Sequence, residues 1–504
     1  MSWIEDPTRT SSVLWFNGPA GAGKTAIAQS LCKLCAAAHW LAGSFFFSRY
    51  APAGGRSNAE FLFPTISYGL SHAIPKVGKI IDNVVAQDPS IPTKALEIQL
   101  QKLILEPLQQ VAEELRQQIL EISKQQISES SKQQILESLK QQILKESKQP
   151  IVIVIDGLDE CEGEDVQSNV LRLLGSVFQR HSVGVYDRKI CFIVTSRPEP
   201  WIRDEFTIKP LSNITRQIFL GQTPEANDDI RTFLRLGFTE IHDSPKHRLT
   251  MSNVPKPWPS YSVLDKLVDK ASGQFIYPAI VLKFVGDPNY RPTGRLDIIA
   301  SMPAISPAAL ALKPLALLDQ LYSQILSTSS DKQSTLDILT ALIAMQESIS
   351  GLRMTLRVFH VDLLRIAEKL LGLQPGDGPL ALRMIHSLVH VTGRSLMVDA
   401  DDDSLSFVPD QYLEGNEINF HHKTFIDYLS DPSRSLEYYV DLKEMNTRLA
   451  LACIVTMQTP FQPSSRSRIA CCKFFFELHL YIPIVHSECS YLGLCNALLD
   501  PSRH

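Results

Sequence analysis

The stretch that most restricts what this chain can fold into is "NGPAGAGKTAIAQ", Asn17 to Gln29, which directly follows the β-rich run "VLWF", Val13 to Phe16. Gly18, Gly23, Lys24 and Thr25 satisfy G-x-x-x-x-G-K-[ST], and strand, glycine-rich loop and helix follow in the order that pattern requires. Gly18, Gly21 and Gly23 let backbone N–H groups turn inward around phosphate oxygens, and the helix that begins after them adds its positive end. In this reading Lys24 reaches the β- and γ-phosphates of a nucleotide and the Thr25 hydroxyl ligates Mg²⁺. A chance glycine turn is the plainer alternative, and it leaves the flanking strand and helix unexplained.

Such a loop requires a carboxylate on a neighbouring strand, because Mg²⁺ keeps much of its hydration shell and takes few protein ligands. "IVIVIDGLDEC", Ile151 to Cys161, supplies one: an aliphatic strand ending in Asp156, expected to hold the metal. Asp159 and Glu160 follow in the loop, either to polarise an attacking water or as solvated capping acids. A later strand ends in "TSRPEPW", bringing Thr195, Ser196 and Arg197 to the same sheet edge. A guanidinium there can contact the γ-phosphate and report its loss, or simply form a surface salt bridge.

Five short β-rich runs occur in the first half: "VLWF", "SFFF" (44–47), "IVIVI" (151–155), "ICFIV" (190–194) and "QIFL" (217–220), with helical patterns between them. That alternation predicts an α/β domain, a parallel sheet with helices on both faces, over 1–225. Helices dominate afterwards, in "DDIRTFLRLGF", "SVLDKLVDKASGQFIYPAIVLKFV" and "PLALLDQLYSQILS", broken by proline-rich connections. We expect a helical domain over 226–310 and a winged-helix-like domain over 311–432. The wing is expected from "RSLMVDA" and "LSFVPD" around the acidic turn Asp401–Asp403, then "EINFHH". A mainly helical segment, 433–504, follows.

An eight-residue repeat from Arg116 to Gln149 lies inside an expected helical, low-complexity insertion, 112–149. Glu121, Glu129 and Glu137 precede Lys124, Lys132 and Lys140 by three positions, which supports helix. Eight residues at about 100° each leave the isoleucines drifting by about 80° per repeat, so no coiled-coil seam forms. The segment reads as an exposed expansion or as a partner-binding helix.

Nine cysteines in 504 residues make no disulfide framework and suit free thiols in a reducing compartment. Cys32 and Cys35 form a CxxC on a helical apolar pattern and are read as core. Cys471, Cys472, His486, Cys489 and Cys495 match no compact zinc spacing. A net charge of -5 without a long basic run gives no reason to expect nucleic-acid binding. The start "MSWIEDPTRTSS" is unlike a signal peptide and no apolar run is long enough to span a bilayer, so a cytoplasmic protein is expected.

Taken together, these residues resemble the NACHT group of signal-transducing (STAND-class) P-loop NTPases, specifically the fungal NLR-like proteins with a nephrocystin-3-like N-terminal domain. The likeness runs through "WFNGPAGAGKTAIAQ", "SFFFSR", "FLFPTISYGL", "QKLILEPL", "IVIVIDGLDEC", "IVTSRPEP", "SGQFIYPAIVLKFV", "PLALLDQLYSQIL" and "HHKTFIDYL". The resemblance implies a sheet in which the sensor strand lies between the P-loop strand and the metal-acid strand, followed by helical and winged-helix domains that close over the nucleotide. It implies ATP or ADP, with GTP as the alternative, and Mg²⁺ as cofactors. Asp159 or Glu160 then supports hydrolysis and Arg197 is the sensor arginine. Pro278 faces the adenine, and His422 faces the ADP β-phosphate; from the residues alone, His422 is as well explained as a packed histidine. It also implies self-association with signalling partners in innate immunity, non-self recognition or cell death. The chain departs from the pattern in beginning seventeen residues before Gly18 and in showing no ankyrin, WD40 or TPR period after Met457, as a switch core or truncated product would.

Three functions compete at this point: a nucleotide-controlled switch with slow ATP hydrolysis, a conventional P-loop kinase or fast NTPase, and a noncatalytic remnant acting as an interaction scaffold.

Overall fold

The computed structural model describes residues 1–6, 8–49, 56–124, 150–179, 190–329, 331–349, 363–392 and 417–458. These fall into two compact units, the first reaching Ala226 and the second starting at Asn227.

The first unit is built on five strands: β1 (Val13–Asn17), β2 (Leu41–Phe46), β3 (Ile151–Asp156), β4 (Ile190–Ser196) and β5 (Thr215–Phe219), in the order β2-β3-β4-β1-β5. All pairings are parallel. Each of the five β-rich runs forms a strand, and β4 lies between β1 and β3, as the resemblance implies. Every residue of β1, β3 and β4 is buried, while the two edge strands are partly exposed. Continuous aliphatic runs suit the middle of a parallel sheet because both faces are covered.

Alternation along the strands divides the core in two. Val13, Trp15, Ile151, Ile153, Ile155, Phe192 and Val194 pack with Leu62, Phe63, Ile66 and Leu70 of helix α2 (Leu62–Ala73) and Val170, Leu171 and Leu174 of α3 (Glu164–Gln179). Leu14, Phe16, Val152, Val154, Cys191 and Ile193 pack instead with Ala28 and Cys35 of α1 (Lys24–Ala37), the helix that follows the glycine loop. The CxxC is core, as expected: Cys35 is fully buried and Cys32 packs against the same cluster. Burial pushes the Cys32 thiol up to about 11, so it is inert at neutral pH.

A helix spanning Glu106–Lys124 carries the chain into the octapeptide repeat. The rest of that repeat, the acidic turn Asp401–Asp403, "RSLMVDA", "LSFVPD" and the cysteines after Met457 lie outside the described residues.

The second unit is mainly helical. The quoted run 262–285 divides into helices Tyr261–Ala271 and Ile276–Val285, because Ser272 (φ 47°) and Gly273 (φ 75°) turn left-handed and end the first. β6 (Val389–Thr392) pairs antiparallel with β7 (Glu417–Phe420). Two of the sequence blocks, about a hundred residues apart, dock on each other. The helix Ala316–Leu326 meets Lys423–Leu429 through Tyr322 Oη to Thr424 Oγ1 and Ser323 Oγ to Tyr428 Oη, both 2.7 Å. Arg434 donates from Nε and Nη2 to the Asp319 carboxylate at 3.1 and 2.7 Å.

Candidate functional site

The glycine loop connects β1 to α1 under tight constraints. A Cβ on Gly18 would stand 2.0 Å from the Leu220 carbonyl oxygen, a backbone atom that has nowhere to go. Gly21 (φ 78°) and Gly23 (φ 88°) adopt left-handed backbone, and Gly23 caps α1. The first N–H groups of that helix have no partners inside it, and its macrodipole makes this end attractive to anions. Lys24 folds back over the loop and donates to the Gly18 and Pro19 carbonyls, both at 2.8 Å. Burial lowers its ammonium to about 8, opposed chiefly by the charge of Asp159. Arg197, Asp156 and Glu160 also act on it, so these groups form one electrostatic cluster.

Strand parity explains who joins it. Asp156 shares the Val152–Val154 side of β3, and Thr195 the Cys191–Ile193 side of β4, the face covered by α1. Asp156 is only 2% exposed, and burial raises its carboxyl while hydrogen bonds from Thr195 and Thr25 oppose the shift. Thr195 is fully buried and donates from Oγ1 to Asp156 Oδ1 at 2.5 Å, while accepting the Gly157 N–H at 3.0 Å. Ser196 points to the opposite face and accepts the Trp15 indole N–H at 2.8 Å.

After Gly157 (φ 67°) the chain makes a short turn, Leu158–Glu160. Asp159, 8% exposed, accepts the Arg197 backbone N–H at 3.0 Å on Oδ1 and lies 3.3 Å from Arg197 Nε through Oδ2. Glu160 is half-buried and accepts the Arg49 N–H at 3.3 Å. Arg49 Nη2 also donates to the Asp159 carbonyl at 3.4 Å. Behind the turn, buried Gln167 donates to the Cys161 carbonyl at 2.6 Å and accepts the Trp201 indole N–H at 2.8 Å. Arg49, Gln167 and Trp201 were not singled out as site residues from sequence. Arg49 and Trp201 end the quoted blocks "SFFFSR" and "TSRPEPW", the one signal that could have found them.

The first unit therefore gathers Gly18, Gly21, Gly23, Lys24, Thr25, Asp156, Asp159, Glu160 and Arg197. Pro278 and His422 belong to the second unit. Pro278 is buried in the first turn of its helix. His422 caps the helix Lys423–Leu429: Nδ1 accepts the Thr424 N–H at 3.2 Å. Its neighbour His421 contacts the His386 carbonyl through Nε2 at 3.1 Å, and burial lowers it to about 4.

Among the described residues no cluster of three or more His, Cys, Asp or Glu side chains is arranged to hold a metal ion. One buried carboxylate beside one exposed threonine hydroxyl is instead the sparse hard-oxygen set that Mg²⁺ takes when phosphate and water supply the other ligands. The residues present fit that ion. A cleft of about 450 Å³ lined by Pro64, Tyr68, Ile81, Val85 and Leu103 shares no residue with this cluster. No helix among the described residues is long and apolar enough to cross a membrane.

A family model described as "Nephrocystin 3, N-terminal" matches residues 1–120 and 104–197, which include the glycine loop, Asp156 and Arg197. The two stretches overlap in the helix that leads into the octapeptide repeat. No curated protein matches the chain. Among solved structures, a chain from "Structure of Drosophila ORC bound to DNA" aligns over 78% of this chain and 86% of its own, with 13% identity and a TM-score of 0.27. That score is too low for the alignment to bear on fold or partners. The N-terminal part of this chain is thus similar to the N-terminal domain of nephrocystin 3.

Proposed function

We propose that the chain is a nucleotide-controlled molecular switch of NACHT type. The observation that carries this reading is the meeting of Lys24, Thr25, Asp156 and the Asp159–Arg197 pair at the carboxyl ends of β1, β3 and β4. The backbone N–H groups at the start of α1 would bind phosphate oxygens, and Lys24 would exchange its two loop carbonyls for them. Thr25 and Asp156 would hold Mg²⁺, which when bound neutralises phosphate charge.

Arg197 has its backbone and its guanidinium both engaged by Asp159. A terminal phosphate would compete with that carboxylate for the guanidinium, so Arg197 can report whether the phosphate is present. Slow hydrolysis fits the turn after β3: glycine, not an acid, stands directly after Asp156, and the further acids, Asp159 and Glu160, come later in the turn.

On this reading the second unit holds a helical domain and a winged-helix-like module with β6 and β7 as its small sheet. ADP favours a closed state in which Pro278 and His422 face the nucleotide, and exchange for ATP opens the chain for self-association with signalling partners. The boundaries 1–225, 226–310, 311–432 and 433–504 are part of the proposal, as is a role in fungal-type innate immunity or non-self recognition.

The test is to identify the nucleotide retained by gently purified full chain and to measure its turnover, with Lys24→Ala as control. The switch predicts retained ADP, slow turnover and an empty mutant. Rapid multiple turnover would point to an ordinary NTPase or kinase, and identical behaviour of both proteins to a scaffold.

A further inference from the structure

We propose that Thr195 is a positioning residue for the metal site, fixing the rotamer of Asp156 and the turn that carries Asp159. The inference rests on the Mg²⁺–nucleotide reading of this cluster and assigns a role to a side chain that reading leaves idle. Asp156 and Thr195 stand next to each other because Ile155 pairs with Val194, and the residue after each continues onto the face covered by α1.

The Thr195 hydroxyl is fully buried, out of reach of water, and both of its hydrogen-bonding functions are committed. Its proton goes to Asp156 Oδ1 and its lone pair receives the Gly157 N–H. One bond pins a carboxylate oxygen, which stops the carboxylate rotating. The other holds the left-handed Gly157 from which the Asp159 turn departs. Threonine suits the task because branching at Cβ stiffens χ1 in a strand, so the hydroxyl is held before any ligand arrives.

Ser196 provides an internal control. It sits one residue along the same strand end, is equally buried and makes an equally good hydrogen bond, but to Trp15 on the opposite face. Damage to the strand end as such should appear in both variants, whereas metal positioning should appear in one.

The experiment titrates MgCl₂ into nucleotide-stripped full chain in the presence of ADP and reads the Mg²⁺ concentration at half-maximal ADP binding. Thr195→Val keeps the shape and removes the hydroxyl; its half-point should rise about 10–100-fold, the usual effect of removing a partner of a metal ligand. ADP binding in EDTA should be unchanged, Thr195→Ser should bring the half-point most of the way back, and Ser196→Ala should leave it in place. Should Thr195→Val fail to fold, Thr195→Cys carries the same expectation at smaller amplitude. The proposal is overturned if Thr195→Val or its substitute titrates like wild type, or if Ser196→Ala shifts the half-point as far. A wild-type chain whose ADP binding ignores Mg²⁺ overturns the metal reading itself, a result distinguishable from one in which wild type responds and the variant responds equally.

Discussion

The strand ends of the first unit and the His421–His422 corner of the second both carry polar side chains in buried surroundings, but they differ in how fully local structure accounts for them. His422 is explained by its helix: it caps Lys423–Leu429 through Nδ1. Asp156 has no such explanation. It is buried, its carboxyl is shifted up by that burial, and two hydroxyls only oppose the shift. Lys24 is likewise shifted down to about 8 by burial, with loop carbonyls as its hydrogen-bond partners. Charges placed where folding gains little from them are what the proposed nucleotide site requires. A histidine that completes a helix cap marks nothing further by its geometry.

The largest effect that can sharpen this contrast is expected at Gly18. Gly18→Ala would drive a Cβ into the Leu220 carbonyl, and the first unit should lose about 3 kcal/mol, the upper part of the range for overpacking. Thermal or denaturant unfolding reads it directly. Next comes Asp156→Asn, which removes a buried charge while keeping an acceptor for Thr195. The nucleotide-free chain should become more stable, because burial disfavours the charged carboxylate, and the order should reverse when Mg²⁺ and ADP are added, since wild type gains more of their binding energy. If Asp156→Asn is less stable without ligand, the contrast with the second unit fails.

At His422 the cap explanation predicts a loss of about 1 kcal/mol for His422→Ala and almost none for His422→Asn, because asparagine is a good N-cap. A fall in ADP retention in the stable asparagine variant would show that the imidazole also senses nucleotide. The last effect is a pH dependence from His421. Its folded value, about 4, lies below the ordinary 6.5, so between these values the unfolded chain holds a proton that the folded chain refuses. Stability should therefore fall as pH drops from about 6.5 towards 4, and His421→Gln should flatten that part of the profile.

Much of the first unit was legible in the sequence because its strands are uninterrupted aliphatic runs and its loop has fixed spacing. The pairing of Asp159 with Arg197 was not. It depends on the turn after Gly157 folding back against the end of β4, a tertiary contact between residues thirty-eight apart that no local pattern encodes. Asp159 and Glu160 read as equivalent acids in sequence, yet one engages Arg197 and the other meets the backbone of Arg49. The Thr195–Asp156 bond could have been anticipated from strand parity once β3 and β4 were known to be neighbours. In the second unit the break at Ser272–Gly273 falls on a Ser-Gly pair inside the quoted run, a turn signal that stands between two stretches of helical spacing. The strand Val389–Thr392 precedes the segment expected to form the wing, since "VHVT" is too short to stand out beside the helical pattern before it.

The central claim is that the cluster around Lys24 and Asp156 binds a Mg²⁺–nucleotide. Calorimetric titration of ADP into nucleotide-stripped full chain, with Mg²⁺ and with EDTA, tests it most directly when repeated on Lys24→Ala. The account predicts tighter binding with Mg²⁺ and a loss of about 10–100-fold in Lys24→Ala, the value of a charge-assisted hydrogen bond or two. Equal heats for wild type and Lys24→Ala would contradict it.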